Sequence, residues 1–222
     1  MQNSISFKKH IAYFWLVTQL SSLLAKFSEH TDDVTLWNYL RNGDEDAYSE
    51  LARRHYRTLI QYGLRFTPNM QLVEDTLQDL LIHLWLHRET INETPSVKFY
   101  LIKSFRHRIL KTLKPANEVE LTDYLVDLHS EFSCEESMIR VESEQAIKKQ
   151  VKSILERLPS RQQEVIYLRY FQNLKPEEIA NLLSINAQSV SNIIQRALSN
   201  LRTFWPQSSF SILFYGFCQI FY

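Results

Sequence analysis

PEEIANLLSINAQSVSNIIQRALSNL, residues 176–201, decides the fold class. Pro176 suits a first helical position, where its missing N–H would have no partner anyway. Glu177 and Glu178 follow near the positive end of that helix. Ile179, Ala180, Leu182 and Leu183 give it an apolar face. Ser184, Ile185 and Asn186 read as a turn, with Asn186 as the cap of a second helix. In that helix Val190, Ile193, Ile194, Ala197 and Leu201 face inward, and Gln188, Ser189, Ser191, Asn192, Gln195 and Arg196 stay outside. The pattern predicts a helix-turn-helix whose early polar side chains can reach base edges in a major groove. The same pattern also fits an ordinary helical hairpin with a polar outer face.

Working outward, helical periodicity runs over 146–158 and 160–171 before the motif and continues through it over 176–183 and 187–204. Ser160 is expected to cap its helix, with Gln163 completing a capping box. The outer face of the last helix is polar rather than basic. Phosphate contacts would therefore fall to Arg161, Arg169, Lys175 and Arg202, or to a partner protein.

Upstream, residues 114–144 lose periodicity. Glu118, Glu120, Asp123, Asp127, Glu131, Glu135 and Glu136 precede the first base after Lys114, Arg140. Before them lies the opposite charge: Lys98, Lys103, Arg106, Arg108, Lys111 and Lys114 fall in 98–114 with no acid. Phe99, Tyr100, Phe105 and His107 interleave with these cations, a combination suited to phosphates and unpaired bases. Phe99, Ile102, Phe105 and Ile109 also have core spacing, so a solvated helix with core aromatics fits as well.

Further upstream, 73–85 repeats Leu77, Leu80, Leu81, Leu84 and Trp85 as an amphipathic helix. Its outer face carries Glu74, Asp75, Gln78, Asp79 and His83. Asp75, Asp79, His83 and His87 recur every four residues, but one helix face rarely closes a metal site, and a face that docks on a partner is the preferred reading. Between 33 and 59, Leu36, Tyr39, Leu40, Ala47, Tyr48, Leu51, Ala52 and Leu59 are read as core, with a turn at Asn42, Gly43 and Asp44.

Six prolines fall between helical stretches, and no period-two run is long enough for a strand. The expected fold is all-α: two small helical domains joined by an acidic linker, the C-terminal one containing the helix-turn-helix. The boundaries read as an N-terminal extension 1–32, a first domain 33–115, a linker 116–144, a second domain 145–205 and an aromatic tail 206–222. Three glycines and no phosphate-binding glycine string argue against a Gly-rich nucleotide-binding loop. Cys134 and Cys218 make neither a disulfide framework nor a zinc site, which fits a reducing cytoplasm. Lys8 and Lys9 precede an apolar run at 11–17, but Thr18, Gln19, Ser21 and Ser22 end it too early to span a bilayer.

In order, these pieces resemble the extracytoplasmic-function group of bacterial sigma-70 family RNA polymerase sigma factors. The strings are LWNYLRNGDEDAYSELARRHY at 36–56, VEDTLQDLLIHLW at 73–85, KFYLIKSFRHRILKTLK at 98–114 and LPSRQQEVIYLRYFQNLKPEEIANLLSINAQSVSNIIQRALSNLR at 158–202. The resemblance implies a first domain like sigma region 2 and a second like region 4. It implies a binding subunit rather than an enzyme, with no cofactor, metal or small-molecule substrate. Its implied partners are core RNA polymerase, promoter DNA and an anti-sigma factor, soluble or membrane-bound. Glu74, Asp75, Gln78 and Asp79 would dock on polymerase. Lys98, Lys103, Arg106, Arg108 and Lys111, with the loop 89–96, would open and read the −10 element. Gln188, Ser189, Ser191, Asn192, Gln195 and Arg196 would read the −35 element.

Three positions depart from the family pattern: Ser184 where Gly is usual, Asn186 where Ser is usual, and Lys175 where Ser or Thr caps the helix. Promoter sequence is therefore not carried over from relatives. A stand-alone helix-turn-helix regulator is the alternative, and a metal enzyme using Asp75, Asp79, His83 and His87 is a weaker one.

Overall fold

The computed structural model describes residues 27, 31–113, 151 and 153–204. The acidic linker, the aromatic tail, both cysteines and most of the N-terminal extension lie outside them. The described residues are helical, with no strand among them. They fall into two compact units, one of 27, 31–63 and 70–113, the other of 64–69 with 151 and 153–204.

The first unit has four helices. They are α1 (Asp33–Arg41), α2 (Glu45–Gly63), α3 (Met70–Leu86) and α4 (Val97–Leu113). Each start has a chemical cause. Asp32 accepts the Thr35 N–H at 2.8 Å and the Thr35 hydroxyl at 2.8 Å, which caps α1. Those hydrogen bonds hold the exposed Asp32 carboxyl below its usual pKa range. Asp44 accepts the Ala47 N–H at 2.9 Å to start α2. Between them Gly43 takes a φ of +87°, a left-handed turn open to glycine at little cost.

The core of this unit comes from one face of each helix. Leu36, Trp37 and Leu40 of α1 and Leu51, Leu59 and Tyr62 of α2 are buried in it. Val73, Leu77 and Leu84 of α3, and Leu101, Phe105 and Ile109 of α4, complete it. Tyr39 was expected in this core and is instead 46% exposed, ring to ring with Phe27 at 5.4 Å. Trp37, fully buried, occupies the inward position. With Leu36 and Leu40 inward, residues 37 and 39 flank that direction symmetrically on the helix, so packing against the rest of the unit decides that Trp37 is the buried one. Gly63 of α2 lies close against α3 and α4. A methyl group there would lie 2.5 Å from Val73 and 3.0 Å from Phe105.

In the second unit α5 (Ser160–Ile166) runs into a π-helical turn (Tyr167–Phe171), then α6 (Pro176–Leu183) and α7 (Ala187–Phe204). The expected capping box at 160 does not form. Pro159 holds the cap position without a side-chain bond, and Gln163 turns back to donate to the Leu158 carbonyl at 2.8 Å. Gln163 thereby ties the start of α5 to the preceding segment. The π turn closes with the Gln172 N–H on the Tyr167 carbonyl at 3.1 Å, and Asn173 then takes a φ of 54° to end it. Burial pushes the Tyr167 hydroxyl up to about 12, and the hydroxyl accepts the Gln172 side-chain amide at 2.8 Å.

The helix-turn-helix has the expected bounds. Glu178 accepts the Lys175 N–H at 2.7 Å, the reciprocal half of a capping box. Ser184 adopts the left-handed conformation that ends α6. Asn186 accepts the Ser189 N–H at 2.7 Å and so caps α7. Leu155, Leu158, Ile166 and Ala197 form a core cluster, flanked by half-buried Leu198, Leu201 and Phe204.

Candidate nucleic-acid interface and docking face

On α3, Asp75 and Asp79 are exposed, while Glu74 and Gln78 are half-buried beside them on the same side of the helix. Glu74 accepts the Tyr56 hydroxyl of α2 at 3.3 Å. Burial and the Glu74 charge raise the Tyr56 pKa. Further along the same side stand His83 and Leu86, the latter 67% exposed. The His83 and His87 rings stack at 4.0 Å. Partial burial, then Arg108 and His87, lower the His83 pKa. Among the described residues no group of three or more His, Cys, Asp or Glu could hold a metal ion.

On α4 the cations separate into groups. Lys103, His107 and Lys111 are exposed and recur every four residues, which makes a stripe along one face, with half-buried Tyr100 in line. Lys103 Nζ lies 5.9 Å from the centre of the Phe99 ring. Arg106 and Arg108 flank the stripe and are half-buried. Lys98 stands apart. By helical angle it shares the side of Ile102, Phe105 and Ile109, which are all buried. Burial lowers its pKa and the Asp33 charge opposes that shift. Asp33 also accepts from His55 Nε2 at 2.8 Å and from Arg54 at 3.1 Å. Burial holds the His55 pKa below its usual value despite Asp33. Lys98 therefore belongs to a polar cluster at the start of α1.

The loop between α3 and α4 is fixed from α1. Trp37 Nε1 donates to the Asn92 carbonyl at 3.0 Å, and Arg41 Nε donates to the Ile91 carbonyl at 3.0 Å. Sequence patterns could not show these contacts, because they join residues 55 and 50 positions apart.

On α7, Gln188, Asn192, Gln195, Arg196 and Ser199 are exposed and form one stripe. Gln188 donates to Asn192 at 3.1 Å. Ser189 and Ser191 are half-buried, and the Ser191 hydroxyl donates to the Ala187 carbonyl at 3.2 Å. Arg161 and Arg169, two of the cations expected to contact phosphates, bond main-chain carbonyls of their own unit. Arg161 donates to the Leu183 carbonyl at 3.1 Å, and Arg169 to the Leu174 carbonyl at 3.1 Å. Lys175 and Arg202 are exposed at the two ends of the motif.

Known families match both units in the same order. Sigma-70 region 2 matches residues 51–117, and Sigma-70 region 4 matches residues 148–201. Together the matches cover more than half of the chain. The chain belongs to the extracytoplasmic-function group of the sigma-70 family. The RNA polymerase sigma factor YlaC of Bacillus subtilis is 24% identical over 165 residues, covering 71% of this chain and 91% of YlaC. The extracytoplasmic-function sigma factor SigG of Mycobacterium tuberculosis is 25% identical over 192 residues, covering 76% of this chain and half of SigG. The solved structure of CnrH in complex with the cytosolic domain of CnrY covers 78% of this sigma factor and 96% of CnrH. Its TM-score is 0.52 at 20% identity, a likeness of fold. Among the described residues of this sigma factor, no helix is long and apolar enough to cross a membrane.

Proposed function

We propose that this sigma factor binds core RNA polymerase through α3, opens and reads the −10 element with α4 and the loop before it, and reads the −35 element with α7. The observation that carries the reading is a division of surface chemistry. Lys103 and Lys111, with His107 between them, form an exposed stripe carrying two cations in the region 2 match, and Gln188, Asn192, Gln195 and Arg196 an exposed hydrogen-bonding stripe in the region 4 match. Cations beside aromatic rings suit a strand being unpaired. Amide and guanidinium groups along the exposed face of a helix suit base edges in duplex DNA.

The formal net charge of zero fits a subunit that takes most of its DNA affinity from a partner. Asp75 and Asp79 offer that partner an exposed acidic face. The polymerase core would supply the chemistry of RNA synthesis, and the sigma factor would act where polymerase acts, in the cytoplasm. CnrH is held by the cytosolic domain of CnrY, and an anti-sigma factor is the corresponding regulator proposed for this chain.

Two variants test the division of labour. Asp79→Ala is expected to weaken binding to core polymerase, measured by competition for purified core. Arg106→Ala combined with Lys111→Ala is expected to impair promoter opening more than core binding, measured as permanganate reactivity of unpaired thymines. Unchanged core affinity in the first variant removes α3 from the docking face. Equal losses of binding and opening in the second refute the role given to α4.

A further inference from the structure

Residues 87–96 join α3 to α4, and their main chain is held from several sides. The His87 carbonyl accepts the Thr90 N–H at 2.9 Å, the Ile91 N–H at 3.1 Å and the Thr90 hydroxyl at 2.9 Å. The Ile91 side chain is buried. Arg88 folds back so that Nη1 donates to the Trp85 carbonyl at 2.9 Å, with the guanidinium 4.6 Å over the Trp85 ring. At the far end Ser96 Oγ accepts the Phe99 N–H at 3.3 Å and caps α4. These contacts fix the ends of the loop.

The middle of the loop is held from α1 as well. The Trp37 indole is fully buried, so its N–H must find an acceptor inside the fold, and it takes the Asn92 carbonyl. Tyr100 of α4 meets the Trp37 ring edge-on at 4.8 Å. Arg41 uses its planar fork on two neighbours at once. Nε donates to the Ile91 carbonyl, and Nη1 donates to Glu93 at 3.0 Å. Consecutive residues 91, 92 and 93 are thus tied to one helix, while the side chains of Asn92 and Glu93 remain exposed.

We propose that Trp37 and Arg41 are positioning residues for promoter opening: they hold the main chain at Ile91 and Asn92 and the carboxylate of Glu93 on one path, so that the loop meets an unpaired base already ordered. This rests on the reading of the loop as part of the −10 contact. The ordering cost is met during folding rather than at the DNA, and a preordered loop discriminates between bases better than a mobile one. Neither residue needs to touch DNA. Their effect passes through the loop backbone.

The test uses the full-length chain with Arg41→Met, which keeps the aliphatic stem and removes every donor, and Arg41→Lys, which keeps the charge and can restore a single bond. Amide hydrogen exchange of residues 89–96 in the free protein is the first readout. Arg41→Met is expected to speed it about tenfold, the order expected for losing two modest hydrogen bonds, with exchange in α2 and α3 unchanged. Arg41→Lys is expected to fall between. Unchanged exchange overturns the proposal.

The second readout is open-complex formation by reconstituted holoenzyme on a promoter library randomised across the −10 element. Arg41→Met is expected to lower opening about tenfold and to broaden base preference there, with core polymerase affinity unchanged, as the same loosening carried to the DNA. A loosened loop with wild-type opening and preference also overturns the proposal. If Arg41→Met does not fold, Arg41→Lys carries both readouts with smaller changes of the same sign. If the wild-type chain forms no open complex with core polymerase, the reading of the loop fails, and the promoter role of Trp37 and Arg41 with it. Hydrogen exchange then still shows whether these residues hold the loop.

Discussion

Helices α4 and α7 are nearly the same length and both are amphipathic, yet they spend their residues differently. In α4 six residues are buried, and the exposed stripe is cationic and interrupted by aromatic rings. In α7 only Val190 and Ala197 are fully buried, and the exposed side carries amides, hydroxyls and the guanidinium groups of Arg196 and Arg202. The first helix builds its unit and presents cations. The second rests on its unit and presents hydrogen-bonding groups. Affinity from α4 should therefore depend on salt, and discrimination by α7 should depend on base identity.

The largest expected effect tests the structural half of this contrast. Phe105 of α4 is fully buried, and Phe105→Ala is expected to cost about 3–5 kcal/mol of stability. Val190→Ala in α7 should cost less, about 1–3 kcal/mol. Denaturant titration followed by far-ultraviolet circular dichroism measures both, and equal costs would erase the distinction. The next effect tests the chemical half. Asn192→Ala is expected to lose about 1–3 kcal/mol of discrimination at a single base pair, with the salt slope unchanged. Lys111→Ala should weaken holoenzyme binding across sequences and lower the salt slope by about 1. Promoter binding titrated against salt separates the two, and exchanged phenotypes would contradict the assignment.

A smaller effect lies in the turn before α7. Ser184 has a φ of 54°, which costs a residue with a Cβ about 1–2 kcal/mol relative to glycine. Ser184→Gly is expected to stabilise the second unit by about 1 kcal/mol once the added chain entropy of glycine is subtracted. A fall in its melting temperature would show that the turn is held for another reason.

The smallest effect is a pH dependence confined to the first unit. His55 has a folded pKa below its ordinary value, chiefly through burial, with Asp33, Lys98 and Arg54 around it. The unfolded chain therefore takes up the proton first as pH falls. Stability is full above about pH 6.5, the unfolded value, and declines as pH falls from there through the folded value. His55→Gln should remove that part of the decline. Identical pH profiles for the variant and the parent would sink this account.

The helix-turn-helix was legible almost residue by residue, because its signals are local. Pro176 starts α6, Asn186 caps α7, and apolar spacing separates the faces. The Gly43 turn was legible for the same reason. What stayed hidden depended on tertiary contacts. Tyr39 and Trp37 are both large aromatics two positions apart, and only packing decides which one faces inward. Lys98 looked like one more cation of a basic helix until its place at the Asp33 cluster was seen. Ser160 lost its expected cap because Gln163 bonds back to the Leu158 carbonyl. The Trp37 and Arg41 contacts to the loop cross some fifty residues, beyond the reach of periodicity.

Reconstitution of the full-length chain with purified bacterial core RNA polymerase tests the central claim most directly, read as stable association and promoter-dependent transcription from a randomised promoter library. The account predicts a stoichiometric complex whose transcripts share a −10 and a −35 element. A folded chain, free of any inhibitor, that neither binds core polymerase nor directs transcription would contradict it.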